Sequence, residues 1–249
     1  MRERMRAKDI RAFAKEKLKE NLKVLVLIEI IFVIINGGII AWATGFQRLL
    51  TSMLMVFLIQ VAEMFLFYAF FTGVTAACFK SSRGMKPKVE DAFYAFHGKA
   101  KPILWVILRK CIMIQLYAAA FGFVIGFFEA GGYFDVGFLL ILTNILAMII
   151  VELRYFPAIY LLIDGQEKES KKAVWRGLDL MKKNYMRLIL LYLSFIPWML
   201  LGILTVGIGL FIVGPWMQVS MAVFYSELLE QEKLQLEKTT EKDAGQESV

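Results

Sequence analysis

The 249-residue chain is 59% hydrophobic and 14% aromatic, with 29 Lys and Arg against 22 Asp and Glu. Its mean hydropathy of +0.61 leaves too little polar surface to clothe a water-soluble domain of this size, so the composition calls for a bilayer as solvent. A single histidine, His97, excludes a His-rich metal site or a His-centred proton relay.

Taken in chain order, residues 1–23 are basic and mixed in charge, and an interfacial amphipathic helix is expected over 5–20, with Ile10, Phe13, Leu18 and Leu22 among Arg11, Lys15, Lys17 and Lys19. Apolar runs then place spans near 22–40, 50–79, 103–128 and 137–163. The strongest run is 188–226, which holds no Asp, Glu, Lys or Arg. As helix it would measure roughly 58 Å, about twice a ~30 Å hydrocarbon layer, so it folds into two spans, 188–206 and 209–225, turning at Gly207 to Gly209. A backbone crossing lipid satisfies its own hydrogen bonds most simply as helix. The expected fold class is therefore all-α, a polytopic membrane helix bundle of about six transmembrane helices in three hairpins. The membrane domain covers 1–228. The tail 229–249, rich in Glu, reads as a short helical extension fading into an acidic, disordered end after Leu236.

Orientation follows from the cations. Residues 1–23 hold nine, 80–110 eight, 154–187 eight and the tail three, which leaves only Arg48 for an outer turn. Lys and Arg in short loops stay on the cytoplasmic side, so both termini are expected to be cytoplasmic in a multi-pass cell-membrane protein. The basic start, its apolar run and Ala41-Trp42-Ala43 imitate a cleaved secretory signal. The mixed charge, Glu29 within the apolar core and the polytopic remainder argue for retention. Cys78 and Cys111 fall near the inner face, where thiols stay reduced.

Each inner loop carries a short amphipathic stretch before a span. In the third, Val174, Leu178, Met181, Tyr185 and Leu188 recur at helical spacing among Lys171, Lys172, Arg176, Lys182, Lys183 and Arg187, a pattern for a helix lying flat on the membrane. Val89, Phe93 and Phe96 play that part in the middle loop. Contacts to anionic headgroups are expected from Arg11, Lys15, Lys19, Lys172, Arg176 and Lys183, at about 1 kcal/mol each. Ala12-Phe13, Ala92-Phe93 and Ala173-Val174 open segments 80 and 81 residues apart. The pattern reads either as a parallel triplication of one interfacial helix plus one hairpin or as a recurrent solution to the same boundary problem.

The C-terminal third carries Trp175-Arg176-Gly177-Leu178-Asp179, Leu193-Ser194-Phe195-Ile196-Pro197-Trp198, Leu204-Thr205-Val206-Gly207-Ile208-Gly209 and Gly214-Pro215-Trp216. This succession resembles the DUF975 family of bacterial integral membrane proteins, specifically over about 150–226, and Lys17 to Asn21 looks like that family's start. The resemblance implies a membrane protein and carries no catalytic or binding residues. A more distant similarity is to membrane domains attached to some glycerophosphodiesterases, whose hydrolase domain this chain lacks.

Polar groups inside spans are the candidate functional positions, since a central charge costs about 2.5–3.5 kcal/mol on insertion scales. Glu29, Glu63, Glu152 and Arg154 qualify. The leading expectation is an interhelical ion pair of Arg154 with Glu29 or Glu63, with a polar translocation site as the second reading. Arg109 and Lys110 are expected to snorkel at the inner end of the third span. Gln60, Gln115, Asn144 and Gln218 are expected to hydrogen-bond between helices, and Pro197 and Pro215 to kink the last hairpin. No nucleophile with its base, metal cluster or phosphate loop is present in the sequence, so no catalytic, metal or cofactor site and no nucleic-acid partner is expected. Two functions remain: a non-enzymatic accessory protein that interacts with envelope lipids, or a small transporter or channel, homo-oligomeric if it conducts.

Overall fold

A computed structural model describes residues 5–47, 52–97 and 100–246, and all regular structure among them is helical. Arg48 and Leu50, the outer cation and the expected start of the second span, lie outside the described residues, as do Lys99 and the last three residues. The elements are α1 (Ala7–Gln47), α2 (Met53–Ser82), a 3₁₀ segment (Val89–Phe96), α3 (Lys101–Ala130), α4 (Phe134–Ile163), α5 (Ser170–Met181), α6 (Tyr185–Leu193), α7 (Ile196–Leu204) and α8 (Leu210–Gln246).

Among the described residues, five segments are long and apolar enough to cross a membrane: Ala7–Gln47, Met53–Ser82, Lys101–Phe128, Asp135–Ile163 and Tyr185–Leu204. At most 22% of the most apolar window of any of them is buried within the protein. The rest of that surface, including Leu54, Phe123, Leu139 and Leu200, is apolar and outward-facing, which only a hydrocarbon environment tolerates over so wide an area. The chain is a multi-pass membrane protein.

Three elements differ from expectation. The interfacial stretch 5–20 and the first span form one unbroken helix, α1, of 41 residues, roughly 62 Å long. No glycine or proline precedes Gly37, and Ala, Lys, Glu and Leu carry strong helix propensity through the charged region, so nothing breaks the backbone at the expected boundary. Asp9 assists the start by accepting from the Arg6 backbone N–H at 3.2 Å. The fifth expected span is split into α6 and α7 at Ser194 and Phe195. Pro197 follows at the start of α7, where its missing N–H costs little. The tail remains helical to Gln246 instead of fading after Leu236, consistent with its Glu, Lys, Gln and Ala content.

The chain divides into two compact units. The first takes Met1–Ile30, Val74–Asp91 and Leu178–Val249. Its α1 stripe of Ile10, Ala14, Leu18, Leu25 and Ile28 is buried, as are Phe195, Val219, Phe224 and Tyr225. Phe195 and Trp198 both meet the Trp216 ring edge to face, at 5.1 and 5.2 Å between centroids. Arg187 ties the polar end together: its guanidinium binds both Glu227 carboxylate oxygens, at 2.7 and 2.9 Å, and the Met5 carbonyl at 2.9 Å. At the turn between α7 and α8, Thr205 Oγ1 donates to the Gly202 carbonyl and accepts from Gly209 N–H. Gly202 and Gly209 approach so closely that a Cβ on Gly209 would lie 2.8 Å from Gly202 Cα. The expected turn therefore stands, with Val206 and Gly207 in the left-handed region.

The second unit takes Ile31–Gly73 and Ala92–Gly177. Here α3 and α4 form an antiparallel hairpin joined at Gly131 and Gly132. Ile103, Ile107, Lys110, Cys111 and Ile114 occupy the buried face of α3, and Val151, Tyr155, Ala158 and Leu162 are buried along α4. At Gly177, α5 packs on Pro157: a Cβ there would lie 2.9 Å from Pro157 Cγ and 3.1 Å from the Ala158 nitrogen.

A candidate intramembrane polar site

Within the second unit, α3 turns Lys110 inward. Residues 103, 107, 110 and 114 share one helical face, and the Lys110 side chain is only 3% exposed. A buried ammonium requires a counter-charge, and α4 supplies it: Lys110 Nζ lies 2.6 Å from Glu152 Oε2. From α2, the Tyr68 hydroxyl donates to Glu152 Oε1, and the Tyr68 ring receives the Lys110 ammonium 3.8 Å from its centroid. One carboxylate thus joins α4 to both α2 and α3. The Tyr155 hydroxyl donates to Met113 Sδ at 3.1 Å in the same hairpin.

Tyr68 also borders a cavity of about 570 Å³ formed by α1, α2 and α3. Its polar lining comprises Asn36, Gln60, Glu63 and Gln115, and its aromatic lining Phe57, Phe67 and Tyr68. Asn36 donates to its own helix at the Phe32 carbonyl, 2.8 Å away. Gln60, Glu63 and Gln115 bond to no protein group among the described residues. Gln60, Glu63, Met64 and Phe67 recur at i, i+3, i+4 and i+7, which brings them to one face of α2.

The four sequence candidates separate. Glu152 enters the network with Lys110, a residue expected to snorkel; Glu63 lines the cavity. Within the second unit Arg154 is exposed and makes no ion pair among the described residues, so the expected Arg154–Glu63 pair is not formed there. Two residues from Glu152 on a helix, it points about 200° away and cannot share that site. Glu29, in the first unit, packs against Gly214: Oε1 lies 3.1 Å from where a Gly214 Cβ would sit, and Oε2 is buried without a partner. Gln60, Gln115, Asn144 and Gln218 do not form the expected interhelical hydrogen bonds among the described residues: Gln60 and Gln115 face the cavity, and Asn144 Oδ1 is buried without a partner. Sequence reasoning missed Lys110 and Tyr68. The signal was present in the phase of α3, which sets Lys110 in register with three isoleucines.

The basic positions also divide. Arg11 is committed to protein, donating to the Ser194 carbonyl at 2.7 Å beside the Phe195 ring. Arg176 is held by Glu167 at 3.1 Å. Lys15, Lys19, Lys172 and Lys183 are exposed; Lys15 lies over Trp216 and Lys172 pairs with Glu169. Just beyond α5, Lys182 is 2.6 Å from Asp179, whose hydrogen bond and charge hold the ammonium pKa above its usual value. The apolar face of α5 is offset from the expected stripe: Ala173, Gly177, Leu180 and Met181 are buried, and Trp175 is exposed. That face is used against protein at Gly177, which leaves less of it for lipid.

A second, apolar groove of about 450 Å³ lies between α3 and the start of α5, bordered by Trp105, Leu108, Ile112 and Val174 with Arg109 and Lys171. Both cations are exposed and have no side-chain partner among the described residues. Cys78 and Cys111 are buried free thiols, and His97 bonds the Phe93 carbonyl at an exposed position. Among the described residues no group of three or more His, Cys, Asp or Glu side chains could hold a metal ion.

These features define a helical, multi-pass membrane protein with a polar network and cavity inside its apolar helices. The chain belongs to the family described as "Protein of unknown function (DUF975)", whose model matches residues 1–232. No curated protein and no solved structure matches the chain.

Proposed function

We propose that the chain is a non-enzymatic accessory protein of the bacterial cell membrane that binds anionic lipid. It would cross the membrane six times in three hairpins, with both termini in the cytoplasm; the sixth span is the apolar opening of α8. The observation that carries the lipid reading is the groove between α3 and α5. Its walls suit an acyl chain, the indole of Trp105 is 66% exposed at the rim, and Arg109 and Lys171 provide two uncommitted cations for one phosphodiester. Basic pockets between helices on the cytoplasmic side fit anionic headgroups, with about 1 kcal/mol per cation. The test is native mass spectrometry of purified protein equilibrated with phosphatidylglycerol and phosphatidylcholine. Preferential retention of phosphatidylglycerol is expected, falling about tenfold in the Arg109→Gln/Lys171→Gln variant; equal retention by both proteins would overturn the reading.

A second reading, a small transporter or channel, is favoured by the cavity beside Glu63, because a spanning bundle keeps unsatisfied polar groups where water or a passenger can meet them. Flux in reconstituted liposomes that is lost in Glu63→Gln would establish it over the accessory role.

A further inference from the structure

We propose that the cavity formed by α1, α2 and α3 is a binding site for an organic cation, whose positive centre sits at the Glu63 carboxylate and whose body lies against the cavity's apolar and aromatic lining. The inference stands apart from the lipid groove and rests on charge, lining and size. Among the described residues, the ionic groups at the cavity and its border are Glu63, Lys110 and Glu152, and Lys110 and Glu152 pair at 2.6 Å. Glu63 is left as the uncompensated charge, with no partner among the described residues. A carboxylate among apolar helices is costly unless a cation, water or proton answers it.

The lining selects among these. A hard metal cation seeks six or more oxygen ligands, whereas among the described residues Glu63 is the one carboxylate that lines the cavity and much of the wall is Ile39, Ile40, Phe57, Ala118 and Ala119. Aromatic faces attract a diffuse positive charge that has shed its water, and the Gln60 and Gln115 amides can accept from an N–H. At about 570 Å³ the space is within the range of small-molecule sites and far larger than an ion needs. An ammonium group on an apolar body satisfies every wall at once.

The test uses the full chain in phosphatidylcholine nanodiscs and two probes of nearly equal shape and opposite charge, tetraphenylphosphonium and tetraphenylborate. Saturable tetraphenylphosphonium binding is expected, weakened at least tenfold by Glu63→Gln and kept within a few-fold by Glu63→Asp. Ala119→Phe, which fills the space and leaves the carboxylate in place, should also remove it. Thermal melting reports whether each variant is folded. Binding that is unchanged in Glu63→Gln overturns the proposal, and so does tetraphenylborate competing as well as the cation, since the cavity would then be only an apolar slot. Replacing phosphatidylcholine, whose headgroup carries a quaternary ammonium, by ammonium-free phosphatidylglycerol identifies the natural source: stronger Glu63-dependent probe binding marks the lipid's own ammonium as occupant, and unchanged Glu63-dependent binding marks a free amphiphilic cation. The Arg109→Gln/Lys171→Gln variant should bind the probe normally, so failure of the lipid groove and failure of this site are told apart.

Discussion

Lys110 and Arg109 are adjacent in the chain and opposite in environment. A helix turns about 100° per residue, so when the isoleucines of α3 face the bundle, Lys110 goes with them and Arg109 stays outside. The inward lysine is tolerated because Glu152 and Tyr68 receive it. Lys110 is the buried partner and Glu152 is half exposed, so removing Glu152 strands a buried ammonium, whereas removing Lys110 leaves a carboxylate with an outlet, and replacing both by apolar groups is often neutral. Glu152→Leu is therefore expected to lower the melting temperature of the detergent-solubilised protein markedly, and Lys110→Met/Glu152→Leu to recover most of it. A double variant no better than the single one would mean that Glu152 has a role beyond balancing Lys110. Arg154, two residues further on, stands out in the sequence because its charge lies deep in a span. Depth can be counted from sequence, but its facing direction depends on where α4 meets α3.

At the scale of elements, α5 shows how one residue sets a helix in place. Gly177 lets the backbone of α5 come against Pro157 and Ala158, and an added methyl would meet a ring carbon and a backbone nitrogen that cannot swing aside. Gly177→Ala should destabilise by about 1–3 kcal/mol through overpacking, read as a lowered melting temperature. Gly38→Ala is the matched control: nothing lies within 4 Å of its new methyl, and alanine is the better helix former by up to about 1 kcal/mol. Equal effects would disprove the close approach. The amphipathic pattern of 170–183 was legible in the sequence, but it does not distinguish a face that meets lipid from one that meets protein. The same ambiguity hid the continuity of α1, whose hydropathy changes sharply while its backbone does not.

For the whole molecule, the placement of cations argues for both termini inside and the α3–α4 turn outside. A reporter active only outside the cytoplasm is expected to be active when fused after Asp135 and silent after Gln166; the reverse pattern would invert the topology. Hydropathy and charge are one-dimensional properties, and a bilayer selects on them directly. For that reason the all-helical membrane class, the five apolar segments and the Gly207–Gly209 turn are legible in the amino-acid sequence by itself. Partner choice is different in kind. Lys110 meets Glu152 across 42 positions, Glu63 comes to share a cavity with Asn36 and Gln115, and Arg109 comes beside Lys171, only because helix phase and packing bring those faces together. Periodicity marks the face a residue occupies; close packing against a particular neighbour decides what that face touches, and the site is made of those contacts.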